Sequence, residues 1–299
     1  MQKILITGGS GLLGTHLSHF LSSRRLESSI LSRRKTNENS GVYHWDPEQD
    51  AMDLRAFENC SAIIHLAGAG IADKRWTEKR KKEILDSRVQ GSNLLFKSLK
   101  NSKHRIKTVV AASAVGIYGN GGDEWKVEES NIGSGFLPDT CRQWETSIRQ
   151  IEELGIRLVI LRIGVVLAKD GGALPQMALP VKLFLGASLG SGKQYISWIH
   201  VDDLCRIFLE VVEKESLEGI YNAVSSDPVS NKEFYIALAE KLERPLWPIN
   251  VPSFIMKLIL GEKAEIVLQG QRVSNAKLLN SGFDFNYKTI SQAFSRIVS

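Results

Sequence analysis

The chain has 299 residues, 43% hydrophobic and 24% charged, with 25 Gly, 8 Pro, 3 Cys and a formal net charge of +5. This is ordinary globular composition, and it excludes a disordered chain, a collagen and a small disulfide scaffold. The length suffices for one large domain or two unequal ones with a sizeable core.

Lys3 to Thr7 reads as a short apolar strand running straight into Gly8-Gly9-Ser10-Gly11, after which Leu12, Leu13, Leu17, Phe20 and Leu21 recur at helical spacing. Ser28 to Ser32 and Ser61 to Ala67 are short apolar runs of the kind buried in parallel sheets. A long helix is expected over Thr77 to Lys100, then a strand at Ile106 to Ala112 and a Gly-rich loop through Gly135. A helix from Pro138 to Gly155 and a sixth strand at Arg157 to Ile163 complete the alternation. Strands alternating with helices imply right-handed crossovers, so residues 1–168 are expected to form an α/β Rossmann-like domain with a doubly wound parallel sheet. Beyond Gly164, Gly171-Gly172, Gly186, Gly190 and several prolines punctuate shorter elements. Residues 169–299 are therefore expected to form a smaller α/β cap, with 219–224 returning a strand to the main sheet.

Cys60, Cys141 and Cys205 are odd in number and lack C-x-x-C spacing, so reduced thiols are expected, without a disulfide framework or metal site. The longest apolar runs, Leu158 to Leu161 and Ile163 to Ala168, are split by Arg162. They fall short of the roughly 18 to 20 residues a membrane span needs. The first residues lack the features of a signal peptide. A cytoplasmic protein without a membrane partner is expected. The basic run Lys74 to Lys82 is broken by Glu78 and bounded by Glu83, with no aromatic stacking platform. It reads as a solvated helix face, and no nucleic-acid partner is expected.

Gly8, Gly11 and Gly14 satisfy G-x-x-G-x-x-G between the first strand and the first helix. There, glycines permit the tight turn and let the backbone approach a pyrophosphate on the helix N-terminus, with Leu12 and Leu13 offering their backbone N–H groups. After the second strand an NAD enzyme usually places an acid for the ribose 2′-OH, whereas this chain reads Ser32-Arg33-Arg34. A guanidinium cannot accept that hydrogen bond but pairs with a 2′-phosphate, which favours NADP(H).

Further motifs follow in order: His65-Leu66-Ala67-Gly68-Ala69, Arg75-Trp76-Thr77, Ser87-Arg88, Ser113 to Gly119, Trp144-Glu145 and Leu161 to Leu167. Gly190 to Gln194, Ser197 to Leu204, Leu260-Gly261-Glu262 and Gly270-Gln271-Arg272-Val273 continue the series. Together they resemble the atypical, extended-type short-chain dehydrogenases/reductases of the sugar-nucleotide epimerase kind, in the branch called the epimerase family. Some members of that branch are described as cell-division-inhibitor-like. The resemblance implies that Ser32 and Arg33 contact the adenosine phosphate end, that Leu66, Ala67 and Gly68 line the cofactor, and that Glu83 and Arg88 reach toward the nucleotide.

Active short-chain dehydrogenases use a Tyr-x-x-x-Lys pair on a helix, with a Ser or Thr holding the substrate oxygen. In that register this chain has Cys141 at the tyrosine and Glu145 at the lysine. A carboxylate raises a neighbouring thiol or phenol pKa, the reverse of what a general base needs. Counting back four from Tyr118 lands on Ala114, one place from Ser113, and Arg88 stands at the usual asparagine. The remaining catalytic candidates are Ser113, Tyr118 and Cys141. In the cap, Lys193, Gln194, Trp198, His200 and Arg272 are candidate substrate contacts, the cations suiting an anionic ligand such as a nucleotide sugar. His200 reads equally as a strand end before a helix capped around Asp202-Asp203. Two functions are compatible with these residues: an NADP(H)-dependent epimerase or oxidoreductase acting on a polar small molecule, and a non-catalytic NADP(H)-binding regulatory protein.

Overall fold

The computed structural model describes residues 3–298. The first half supplies strands β1 (Lys3–Thr7), β2 (Glu27–Ser32), β3 (Val42–Asp46), β4 (Ala51–Met52), β5 (Cys60–His65), β6 (Thr108–Ala114) and β7 (Trp125–Lys126). It also supplies helices α1 (Leu12–Ser23), α2 (Glu78–Lys100) and α3 (Phe136–Arg149). Then come β8 (Arg157–Ile163), β9 (Val165–Leu167), α4 (Ala173–Lys182), β10 (Tyr195–Ile196), β11 (Trp198–His200), α5 (Val201–Glu213), β12 (Gly219–Ala223), β13 (Val229–Ser230) and α6 (Asn231–Leu242). The last segment holds α7 (Ser253–Leu260), α8 (Glu265–Leu268), β14 (Arg272–Val273), α9 (Ala276–Asn280) and α10 (Ile290–Ile297).

Eight strands form one sheet in the order β12-β8-β6-β5-β1-β2-β3-β4, parallel except for the β3–β4 hairpin at its edge. The chain runs from β1 outward through β2 and β3, then returns to β5 and continues the other way. The order therefore reverses between β1 and β5, and ligands of such sheets sit outside the strand ends at that switch point. Both faces are covered. Leu17 and Leu21 of α1 pack with Leu204 and Phe208 of α5 on one side, and Leu94, Leu95 and Leu99 of α2 pack with Ile148 of α3 on the other. A third core gathers Trp198, Phe234 and Phe294 beneath α4, α6 and α10.

The cap and the sheet are interleaved by α5. It begins at β11, which pairs with β9, and its other end leads to β12, the edge strand beside β8. Strands β3 and β4 answer no apolar run in the sequence: along β3 only Tyr43 and Trp45 are buried, alternating with the half-buried Val42, His44 and Asp46. Among the described residues the three cysteines are free and buried, and no helix is long and apolar enough to cross a membrane.

A buried polar chain ties the switch point to α2. Thr7 Oγ1 accepts from the amides of Leu66 and Ala67, at 3.0 and 3.1 Å, and donates to His65 Nδ1 at 2.8 Å. His65 Nε2 in turn faces Ser92 Oγ at 3.4 Å, and Ser92 donates to the Arg88 carbonyl. Complete burial lowers the His65 pKa from 6.5 to about 4. A folded pKa below the unfolded one means that stability is present above pH 6.5 and lost as pH falls toward 4. Denaturant unfolding is therefore expected to lose about 2 kcal/mol between pH 7 and pH 5, and His65→Asn is expected to flatten that slope.

Candidate functional site

The turn after β1 is built for close approach. Gly8 has φ +69°, and a Cβ at Gly14 would lie 2.5 Å from the Gly8 carbonyl oxygen, so α1 can start against β1 only with glycine there. A Cβ at Gly8 would likewise meet the Ala67 backbone at 3.0 Å, which brings the end of β5 against the turn. Gly11 caps α1 without a side-chain hydrogen bond, and no acid occupies its first turn. The amides around Leu12 and Leu13 are thus left for an external anion. From the cap side, Gly171 and Gly172 pack on the Leu12 side chain and Asp170 pairs with His16 at 2.9 Å, so the segment before α4 closes over the turn.

At the neighbouring strand end, Ser32 Oγ accepts from the Arg34 amide at 3.2 Å, and Arg33 is exposed. The loop after β5 is held by α2: Ser87 Oγ accepts from the Ala69 amide at 2.9 Å, while Arg88 donates to the carbonyls of Ala69 and Ile84. The Arg88 guanidinium lies 4.9 Å from the Trp144 ring and against Gly68. Burial pushes its pKa down, and among the described residues no carboxylate pairs with it. Glu83 turns away to pair with the buried Arg80 at 2.7 Å, which holds its carboxyl below the usual range. Leu66, Ala67, Gly68 and Arg88 are therefore together at the end of β5, while Glu83 pairs elsewhere.

Around Glu145, the residue that the resemblance sets at the lysine of the family's pair, the structure holds a buried ion pair. Arg162 on β8 meets both oxygens of Glu145 on α3, Nε to Oε1 at 2.9 Å and Nη2 to Oε2 at 3.0 Å. Ser113 donates to Glu145 Oε1 at 2.7 Å. The other guanidinium nitrogen donates to the Tyr118 hydroxyl at 3.0 Å and to the Glu128 carbonyl at 2.8 Å. The Tyr118 hydroxyl donates to Asn222 Oδ1 at 2.7 Å, and Glu128 Oε1 accepts from the Asn222 backbone amide at 2.8 Å. Burial disfavours the Arg162 charge, yet the Glu145 carboxylate raises its pKa above the usual value. Burial pushes Tyr118 up and moves Cys141 to about 12, so neither is a base near neutral pH. The sequence reasoning missed Glu128 and Asn222; the signal for the network was Arg162, a charge inside an otherwise apolar strand.

The cap candidates are dispersed. Trp198 is buried in the third core and donates from Nε1 to the Asp227 carbonyl. His200 Nδ1 accepts from the Asp202 amide as the cap of α5, and its ring stacks on Tyr287 at 3.7 Å. Gln194 Nε2 donates to the carbonyls of Leu189 and Val267, each at 2.9 Å. The Arg272 guanidinium lies between the rings of Trp125 and Tyr195, 4.3 and 5.0 Å away. Trp198, His200 and Gln194 are thus engaged in packing, capping and loop hydrogen bonds, and Lys193 is exposed. Tyr118→Phe, which leaves buried partners of the hydroxyl unmet, is expected to cost about 1–3 kcal/mol of unfolding free energy. In the folded protein Cys141 is expected to resist alkylation at pH 8 and to react once denaturant is added.

The NAD dependent epimerase/dehydratase family matches residues 4–223, and a domain of unknown function matches residues 251–297. The epimerase family protein YfhF of Bacillus subtilis is 36% identical over 301 residues, covering all of this chain and 98% of that protein. An epimerase family protein of Mycobacterium leprae is 35% identical, covering 98% of this chain and 94% of its own. Human epimerase family protein SDR39U1, crystallised with NADPH, superposes with a TM-score of 0.89 at 30% identity, covering 99% of each chain. The chain belongs to the NAD dependent epimerase/dehydratase family, as an atypical extended short-chain dehydrogenase/reductase.

Proposed function

We propose that this chain binds NADP(H) in the crevice between β1 and β5 and acts there on a polar small molecule without a tyrosine–lysine pair. The observation that carries this reading is the glycine cradle between β1 and α1 with its uncapped helix start; Glu145, the residue at the lysine in the family register, is held by Arg162 instead. The residues present fit a dinucleotide: the glycine cradle that any Cβ would fill, the uncapped start of α1, and Arg33 free to meet a 2′-phosphate. The NADPH in the human relative supports the same choice of nucleotide.

When bound, the nicotinamide supplies or accepts a hydride. The chain's own contribution is to exclude water with the loop before α4 and to hold Arg88 at the end of β5. An unpaired cation beside Trp144 stabilises negative charge developing on a substrate oxygen, a task that needs no proton transfer from the protein. A second reading, a non-catalytic NADP(H)-responsive protein, is favoured by the high pKa values of Tyr118 and Cys141.

Calorimetric titration of NADPH and NADH into wild-type and Arg33→Ala protein tests the proposal. NADPH is expected to bind more tightly than NADH, and Arg33→Ala is expected to lose about 10- to 100-fold of that preference, the worth of a charge-assisted hydrogen bond. Equal affinities for the two nucleotides, unchanged in Arg33→Ala, would overturn the NADP(H) assignment. Oxidation of bound NADPH by one member of a carbonyl and nucleotide-sugar panel separates the catalytic reading from the second.

A further inference from the structure

Residues 33–41 join β2 to β3 and begin with Arg33, Arg34 and Lys35, each of them exposed. β2 runs parallel to β1, with Leu31 paired to Thr7, so this loop leaves the sheet at the same end as the glycine turn. A loop of long cationic side chains that is ordered only when an anion binds loses affinity to the entropy of that ordering.

Here the loop is fastened to the β3–β4 hairpin by side chains of both segments. Thr36 Oγ1 donates to Asp53 Oδ2 at 2.7 Å and accepts from the His44 amide at 3.0 Å. The Arg34 carbonyl can only accept, so His44 Nδ1 donates to it at 3.1 Å. The Arg34 amide is held in turn by Ser32 Oγ, so both of its backbone groups are fixed. Beyond Thr36, the Asn37 amide donates to the Val42 carbonyl at 2.7 Å, and the Val42 amide returns to the Asn37 carbonyl at 3.1 Å. The Asp53 amide donates to the His44 carbonyl at 2.9 Å, which makes hairpin and loop one unit.

A bare carboxylate beneath the loop would repel an incoming phosphate, and Arg55 removes that charge. Its Nε and Nη2 meet Asp53 at 3.0 and 2.7 Å, and its Nη1 reaches Glu38. The hydrogen bond from Arg55 holds the Asp53 carboxyl down at about 2, so it remains an acceptor for Thr36 through the neutral range. Both acids are thereby matched to Arg55, which leaves the cations of 33–35 for an external anion.

We propose that Thr36, gripped by Asp53 and the His44 amide, is a positioning residue for nucleotide choice: it presets the 33–35 cations for the 2′-phosphate of NADP(H), a group that NADH lacks. The proposal rests on the NADP(H) reading of the crevice. It assigns a task to the β3–β4 hairpin, whose residues otherwise only extend the sheet edge.

Calorimetric titration of NADPH and NADH into wild-type, Thr36→Val, Thr36→Ser and His44→Leu protein tests it. Thr36→Val keeps the shape and loses the hydroxyl. It is expected to weaken NADPH about tenfold and NADH less than about twofold, because only the 2′-phosphate engages the cations. Thr36→Ser restores the hydroxyl and is expected to keep the wild-type discrimination. His44→Leu, which releases the Arg34 carbonyl, is expected to shift NADPH in the same direction as Thr36→Val. Equal losses for the two nucleotides, or an unchanged discrimination in Thr36→Val, would overturn the proposal while leaving the NADP(H) reading in place. A wild-type protein that binds both nucleotides equally would overturn that reading and the proposal with it.

Discussion

Arg162 places a full charge on an interior strand of the sheet, and the surroundings of the family's usual catalytic position are arranged around that fact. An isolated buried guanidinium is severely destabilising, so it must be met by a carboxylate and by acceptors for its remaining hydrogens. Glu145 supplies the carboxylate from α3, while the Glu128 carbonyl and the Tyr118 hydroxyl take the rest. Ser113, Asn222 and the Glu128 side chain then complete the neighbours' hydrogen bonds. A lysine at position 145 would set two cations together, so the Arg162 charge requires an acid there.

The same arrangement separates binding from chemistry. The glycine turn, the Thr7–His65–Ser92 chain and the α2 contacts to Ala69 preserve the crevice at the switch point. One strand further along, at β6 and β8, side chains that could have moved protons are locked into structure. Arg88 sits between the two regions. It is held by the carbonyls of Ala69 and Ile84 and by the Trp144 ring, and among the described residues no acid pairs with it.

Much of the fold was legible because its signals are local. The Gly8, Gly11 and Gly14 spacing demands its conformation within a few residues, and the apolar runs of β1, β5, β6 and β8 announce strands buried on both faces. β3 escaped because Tyr43 and Trp45 alternate with the half-buried Val42, His44 and Asp46 over a short edge segment. At the candidate site the glycine turn was legible, and the directions of the later side chains were not. A sequence gives the presence of Trp198 and His200 but not their direction, and both turn inward, one to a carbonyl and the other to cap α5. Glu128 and Asn222 were beyond reach for a different reason: 94 positions separate them, and only the folding of the loop after β7 against β12 brings them together.

The most direct test is a double-mutant cycle on unfolding free energy with Glu145→Gln, Arg162→Met and the two combined. If the pair is structural, each single substitution strands a buried charge and costs about 3–5 kcal/mol, the double substitution recovers much of that loss, and nucleotide affinity stays constant throughout. A Glu145→Gln protein as stable as wild type that has lost substrate-dependent NADPH oxidation would contradict this, and would make Glu145 a catalytic group.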